Sequence, residues 1–391
     1  MSEILSRVSE RKKNILAVIL ITALAFVIYS NSLYSPFHFD DQHSIVENCR
    51  IHRFDLKEIL HTSRPVLELT LALNYYFGKL NVFGYHLVNL LLHIFNAIMI
   101  YFILQYTLKF PVFSEEMRDK YRRVPLYSAL IFVSHPIQTE SVTYIISRSS
   151  VLATFFYLFA LLLFLLAHRI KEYKYRYLFY GGCLLASLLG MGSKPIVATL
   201  PIMIMLYDFY FIQVGNTRKV VKRYALFYLL LVLIFAGLVY FNFHGLQEAL
   251  YFDYAMGASH EGQAEMVELE DQYGPLNSIE YFITQLNVIP YYIKLLFIPT
   301  NLNLDYDFPK TRHMDLKTLV YLVLLLALFS YGICTYKKSR LLSYSILWFF
   351  ITLSVTSSFV VILDVIFEHR LYLPSVGFAT FLAIIICNIF G

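Results

Sequence analysis

Residues 85–108 read YHLVNLLLHIFNAIMIYFILQYTL, with no Asp, Glu, Lys or Arg. As an α-helix this stretch rises about 36 Å, more than the ~30 Å of hydrocarbon in a bilayer. Its polar residues His86, Asn89, His93 and Asn96 recur at intervals of three, four and three, which places all four on one helix face. A helix that is apolar except for one polar stripe belongs in a membrane bundle, the stripe hydrogen-bonding to neighbouring helices. His86 and His93 stand about 10 Å apart along such a helix, so they cannot share a metal ion.

The rest of the 391 residues repeats the pattern. Hydrophobic residues make up 58% of the chain, charged residues only 15%, and the mean hydropathy is +0.59. A soluble domain carries about 25% charged residues. The expected fold class is therefore all-α integral membrane. Apolar runs at 14–30, 85–108, 125–134, 149–168, 177–191, 196–212, 224–243, 316–336, 341–358 and 375–391 suggest about ten spans. They form one membrane domain over 1–391, with a first outer loop at 31–84 and a large outer segment at 244–315. Within the latter, 276–299 reads as a re-entrant or surface helical element. The run at 14–30 follows Arg11, Lys12 and Lys13, but no small-x-small cleavage site ends it, so it reads as a retained first span.

Charge sets the expected orientation. Most of the 32 Lys and Arg residues fall in 1–13, 109–124, 168–176, 213–223 and 337–340, whereas 244–290 has none. Short Lys/Arg-rich loops stay inside, which puts the amino terminus in the cytoplasm. Basic residues scattered between spans also speak against a nucleic-acid partner; the partner surface is the lipid bilayer. The four cysteines, Cys49, Cys183, Cys334 and Cys387, have no metal-ligand spacing.

On this topology the chemistry-bearing residues fall on the outer side: Asp40 and Asp41, Arg64, His135, Glu140, Arg148, Lys194, Asp305, His369 and Arg370. Ionisable groups at a membrane boundary are costly to desolvate and are retained for a task or a partner. Adjacent carboxylates cannot both face one cleft in a regular element, so one of Asp40 and Asp41 would do chemistry while the other braces it. Either would also be where a divalent cation such as Mg or Mn is held. Arg64, Arg148, Lys194 and Arg370 are isolated cations suited to a phosphate ester at the membrane surface. His135 and His369 read as site-lining groups, since neither has a second ligand at short spacing.

Taken in order, these motifs resemble a known family. Phe39-Asp40-Asp41 with Asn48, Arg64-Pro65, Tyr85-His86-Leu87-Val88-Asn89, His135-Pro136-Ile137-Gln138-Thr139-Glu140 with Arg148, Ser193-Lys194-Pro195, Leu302-Asn303-Leu304-Asp305-Tyr306 and Glu368-His369-Arg370-Leu371-Tyr372-Leu373-Pro374 are similar to the transmembrane O-mannosyltransferases that carry tetratricopeptide repeats, and to their bacterial relatives. The similarity runs from about residue 30 to residue 380; the family's repeat region has no counterpart in these residues. The resemblance implies a multi-pass bundle of the GT-C type and inverting transfer of a sugar, mannose first, from a polyprenyl-phosphate donor to a protein or glycan hydroxyl. It implies catalysis by Asp40 or Asp41, Asp40 first; Arg64, Arg148, Lys194 and Arg370, read above as phosphate-binding cations, would then hold the donor phosphate. His135, Glu140, Asp305 and His369 would position sugar or acceptor. The expected site is periplasmic, extracellular or lumenal, with a bacterial cytoplasmic membrane slightly ahead of the endoplasmic reticulum. The competing expectation is a transporter or flippase, which the polar stripe at His86–Asn96 would serve.

Overall fold

The computed structural model describes residues 2–170, 172–216, 225, 227, 229–233, 276–362 and 364–390. Among these residues the fold is helical, without a strand. In chain order the helices are α1 (Ser2–Tyr29), α2 (Cys49–Arg53), α3 (Leu56–Leu60), α4 (Pro65–Gly78), α5 (Val82–Leu108), α6 (Glu115–Lys120), α7 (Val124–Ser134), α8 (Thr139–Thr143), α9 (Arg148–Arg169), α10 (Tyr173–Met191), α11 (Leu200–Tyr207), α12 (Ser278–Phe297), α13 (Leu316–Cys334), α14 (Arg340–Leu353) and α15 (Pro374–Phe390).

Local chemistry sets many of their starts. Pro65 opens α4, where a missing N–H costs nothing. Asn81 accepts from the Phe83 N–H at 3.1 Å to cap α5, and Asp315 caps α13 through Thr318 at 2.7 Å. A reciprocal Asn277–Glu280 capping box opens α12. Pro195 and Pro201 break the segment around α11 into a 3-10 turn, the helix and a π-turn at Asp208–Ile212.

Among the described residues, five helical stretches are long and apolar enough to cross a membrane: Glu10–Ser32, Val82–Leu108, Ile145–Arg169, Pro195–Ile212 and Leu316–Lys337; α14 and α15 are apolar but shorter. This is fewer than the ten runs expected. The run at 125–134 makes the eleven-residue α7, and α10 opens on Tyr173-Lys174-Tyr175-Arg176, whose charges interrupt its apolar length. The run at 224–243 and the acidic stretch 244–275 lie largely or wholly outside the described residues. Within 276–299 lies α12 (Ser278–Phe297), a continuous helix despite Pro290, which buries Tyr281, Leu286, Val288, Tyr292 and Leu295.

The main core lies between α1, α5, α7, α9, α10, α11, α14 and α15. A second core joins α12 to the turn at Glu368–Leu371, and a third, with Ile45, Ile51, Ile59, Leu67, Leu71 and Tyr85, roots the 31–84 loop on α5. The polar stripe of α5 is a packing device. Its members are buried and bonded: His86 Nε2–H donates to the Ser35 carbonyl at 2.9 Å, and His93 Nε2–H to Val133 at 3.2 Å. His93 Nδ1 accepts from the Tyr372 hydroxyl at 2.7 Å, and Asn96 donates to that hydroxyl at 3.1 Å and to Val151 at 3.0 Å.

The α14–α15 crossing depends on Gly377. A Cβ there would sit 2.5 Å from the Ser345 carbonyl oxygen and 3.0 Å from Trp348. Gly377→Ala is expected to lower stability by about 1–3 kcal/mol by forcing these helices apart, read as a fall in the unfolding midpoint of the detergent-purified protein.

Candidate functional site

The sequence-separated motifs meet at one end of the bundle, where α7, α10 and the chain before α15 open into loops. The entry of α4 is laid against the end of α10: the Val66 N–H donates to the Gly192 carbonyl at 3.0 Å, and a Cβ on Gly192 would stand 2.7 Å from Val66 Cγ2. This contact brings Arg64, exposed at the start of α4, beside Ser193-Lys194-Pro195. Arg64, Arg370 and Glu140 all lie within electrostatic range of Lys194. The Lys194 amine is buried and donates to Ser150 Oγ at 2.7 Å; desolvation, with Arg64 and Arg370 adding to it, pushes its pKa well below the usual amine range.

Arg370 is buried on the turn Glu368–Leu371. Its Nη1 donates to Val365 at 3.0 Å and to the Tyr281 hydroxyl at 3.4 Å, and its Nη2 to the Asp364 carbonyl. These acceptors are uncharged, so the guanidinium's charge is oriented without being cancelled at contact. The same turn carries Glu368, whose Oε1 accepts from the Asn303 N–H at 2.7 Å and from the Tyr306 hydroxyl. Thus the 302–306 motif is strapped to the 368–374 motif, while Asp305 itself points outward and is exposed.

Buried Glu140 pairs with half-buried His369. Glu140 Oε2 accepts from the His369 backbone N–H at 2.9 Å, and Oε1 meets His369 Nδ1. Burial and the nearby Glu368 push the Glu140 carboxyl up to about 8, against a smaller pull from Lys194. Desolvation and the cations Lys194, Arg370 and Arg64 push the His369 imidazole well below its ordinary value. The pair thus holds one titratable proton and no net charge at neutral pH.

Asp40 and Asp41 divide as adjacent residues must. Asp41 is buried, and its carboxylate accepts from the Ile146 N–H at 2.9 Å and the His38 N–H at 3.2 Å; burial pushes it up to about 6. It ties the first outer loop to the turn before α9. Asp40 is exposed, its backbone N–H donates to the Tyr144 hydroxyl at 2.9 Å, and its carboxylate lies within electrostatic range of Arg64 and Asp364.

Two expected members stand apart. Arg148 is fully buried and spent on the protein: Nε donates to Asn89 at 2.7 Å, Nη1 to Asn74 at 2.7 Å and Thr70 at 3.3 Å, and Nη2 to the Tyr85 carbonyl at 2.9 Å. His135 bonds through both ring nitrogens, Nε2–H donating to Leu296 at 2.8 Å and Nδ1 accepting from Ile137 at 3.2 Å. Conversely, Glu368, Asp364, Tyr144, Tyr306 and Ser150 join the site without having been singled out. Only Glu368 and Tyr306 had a signal, as members of motifs whose other residues drew attention. Among the described residues, no three His, Cys, Asp or Glu side chains are grouped as a metal ion needs.

The comparisons agree with the motif resemblance. A protein O-mannosyl-transferase of Caenorhabditis elegans, F38B6.6, is 27% identical over 96% of this chain and 52% of its own length. Protein O-mannosyl-transferase TMTC2 of Homo sapiens is 29% identical over 57% of this chain and 28% of its length, and TMTC3 of Mus musculus 32% over 38% and 17%. The curated homologues are thus protein O-mannosyl-transferases of the TMTC family. The chain spans about half the length of the C. elegans relative and less of the others. No family model matches, and no solved structure does.

Two outcomes follow from this geometry. Arg148→Met should destabilise by about 3 kcal/mol or more, because it leaves Asn89, Asn74 and Tyr85 acceptors buried without a donor; unfolding of the purified protein reads this directly. The Glu140–His369 pair sets a pH window. Unfolded, with ordinary values of 4.5 and 6.5, the pair binds one proton between those pH values and none above 6.5. Folded, it keeps one proton until about 8. Its contribution therefore falls between pH 6.5 and 8, at most ~1.4 kcal/mol per pH unit. Glu140→Gln should remove that alkaline fall in the unfolding midpoint.

Proposed function

We propose that this chain is the membrane catalytic part of an inverting glycosyltransferase that moves mannose from a polyprenyl phosphate to a protein hydroxyl. The observation that carries the reading is the meeting of three cations, Arg64, Lys194 and Arg370, beside an exposed carboxylate, Asp40, in a chain whose curated homologues are protein O-mannosyl-transferases. A glycosyl phosphate needs charge stabilisation on its leaving group and a base for the attacking hydroxyl, on opposite sides of the anomeric carbon. One displacement of this kind inverts the configuration.

In this mechanism Asp40 takes the proton of the acceptor hydroxyl as the oxygen bonds to the anomeric carbon. The bond from that carbon to the phosphate oxygen breaks, and its electron pair leaves with the phosphate, whose added charge falls on Lys194, Arg370 and Arg64. Preorganised charge facing the leaving group is the larger contribution, and the base adds about 10²–10⁴-fold. Asp41 and Arg148 act at one remove, holding the loop that carries Asp40 and Arg64. A narrow apolar crevice of about 110 Å³, lined by Ile293, Phe297, Phe350, Phe378 and Phe381, offers a place for part of the lipid chain. The GT-C architecture and the outer or lumenal position of the site belong to the same proposal. Lys109, Arg118, Arg169 and Arg340 occupy the opposite end of the helices, as short cytoplasmic connections require. The transporter reading loses its support, since the α5 stripe is spent on hydrogen bonds within the bundle.

Asp40→Asn should reduce mannose transfer from polyprenyl-phosphate mannose by 10²-fold or more at an unchanged unfolding midpoint. Full activity in that variant removes Asp40 from the role of base. Failure of the unaltered protein to transfer or hydrolyse the donor removes the transferase reading.

A further inference from the structure

The Glu140–His369 pair does something that neither residue type alone announces. Glu140 grips a single residue at two points, the backbone N–H of His369 through Oε2 and ring Nδ1 through Oε1, so the imidazole cannot rotate about its side-chain bonds without losing a contact. Phe367 lies over the ring at 4.9 Å with planes 21° apart, fixing its tilt, and Ser147 Oγ stands 3.5 Å from Nδ1. The ring's polar contacts among the described residues all use Nδ1, which leaves Nε2 as the ring atom for a ligand, and the side chain retains 18% exposure. Around it stand Lys194 from the end of α10, Arg64 from the start of α4, and Arg370 from its own turn; Glu140 faces it from α8, and Glu368 lies within range of Glu140.

We infer that His369 is a binding residue of the phosphate site: its Nε2–H is a fourth donor beside Arg64, Lys194 and Arg370, held in place by Glu140. This rests on the mannosyltransferase reading above and moves His369 from sugar contact to phosphate contact. With one titratable proton on the pair, Nε2 carries hydrogen in both arrangements, carboxylic acid with neutral imidazole or carboxylate with imidazolium. A lone-pair role for Nε2 is then closed, and the group that meets it must be an acceptor. Amid three cations, an anionic phosphate oxygen is that acceptor in preference to a sugar hydroxyl. The neutrality of the pair has a second consequence. An ionised Glu140 would be an internal counter-ion for Lys194 and would compete with the donor phosphate. Kept protonated, it leaves the cations to the ligand.

The test uses the purified full chain with polyprenyl-phosphate mannose, measuring KM and kcat from pH 6 to 9.5 for the unaltered protein, Glu140→Gln and His369→Ala. The Gln amide accepts from the His369 N–H and donates to Nδ1, which locks hydrogen on Nε2 at every pH. The unaltered protein should show donor KM rising about tenfold between pH 7 and 9, and Glu140→Gln should show a flat KM. His369→Ala should raise KM about 10–100-fold at all pH, the loss of one hydrogen bond to a charged group, with kcat less affected. An alkaline rise that persists in Glu140→Gln assigns the titration to Lys194 and overturns the inference, as does an unchanged KM in His369→Ala. Unfolding midpoints confirm folding, and His369→Gln, which keeps a side-chain donor, replaces Ala if that variant fails to fold. Stabilisation by polyprenyl phosphate without sugar provides a second readout. If the unaltered protein transfers no mannose but shows the same pH pattern in that binding, the transferase reading falls and the phosphate assignment stands. Transfer without the pattern gives the reverse.

Discussion

The Arg148 guanidinium is the contact on which the site depends. Buried in a helix bundle it finds no water, and each N–H must meet a protein acceptor or cost several kcal/mol. Asn89 and Tyr85 on α5 and Asn74 and Thr70 on α4 supply them. The fan of bonds therefore fastens α4, and with it the whole 31–84 loop, onto α5 and the start of α9. Asp41 repeats the device from the other side through Ile146. Asp40 and Arg64, the exposed members of that loop, are held by these two buried ones.

The other half of the site is assembled by a different chemistry. Its cations are oriented by neutral partners, Ser150 for Lys194 and backbone carbonyls for Arg370. The nearest buried carboxylates have partners of their own, Glu140 in His369 and Glu368 in the Tyr306 hydroxyl and the Asn303 N–H. Positive charge at these side chains is thus not cancelled by a carboxylate in direct contact. Such an arrangement costs stability, which is consistent with a site that preorganises charge for a leaving group.

Much of this was legible in the chain. Apolar length and low charge define the membrane class, and the spacing of His86, Asn89, His93 and Asn96 defines an interhelical stripe. The motif order points to the mannosyltransferase resemblance, with which the homologues agree. Span number was less legible, because α7 is short, α10 begins with charged residues and prolines fragment the stretch at Pro195–Ile212.

The sequence by itself determined that helices must pack in a lipid-like environment, since period and apolar length are local properties that survive without knowledge of neighbours. Tertiary structure alone decided which ionisable residue is enclosed by protein acceptors and which is exposed. Arg148 and Arg64 are the same residue type in comparable segments, yet one is enclosed by four protein acceptors and the other opens to solvent. Asp40 and Asp41 are neighbours, yet only one is buried. Pairing of Glu140 with His369, 229 positions away, is equally invisible along the chain. Burial and hydrogen-bond partners set charge state and reach, and both are products of the fold.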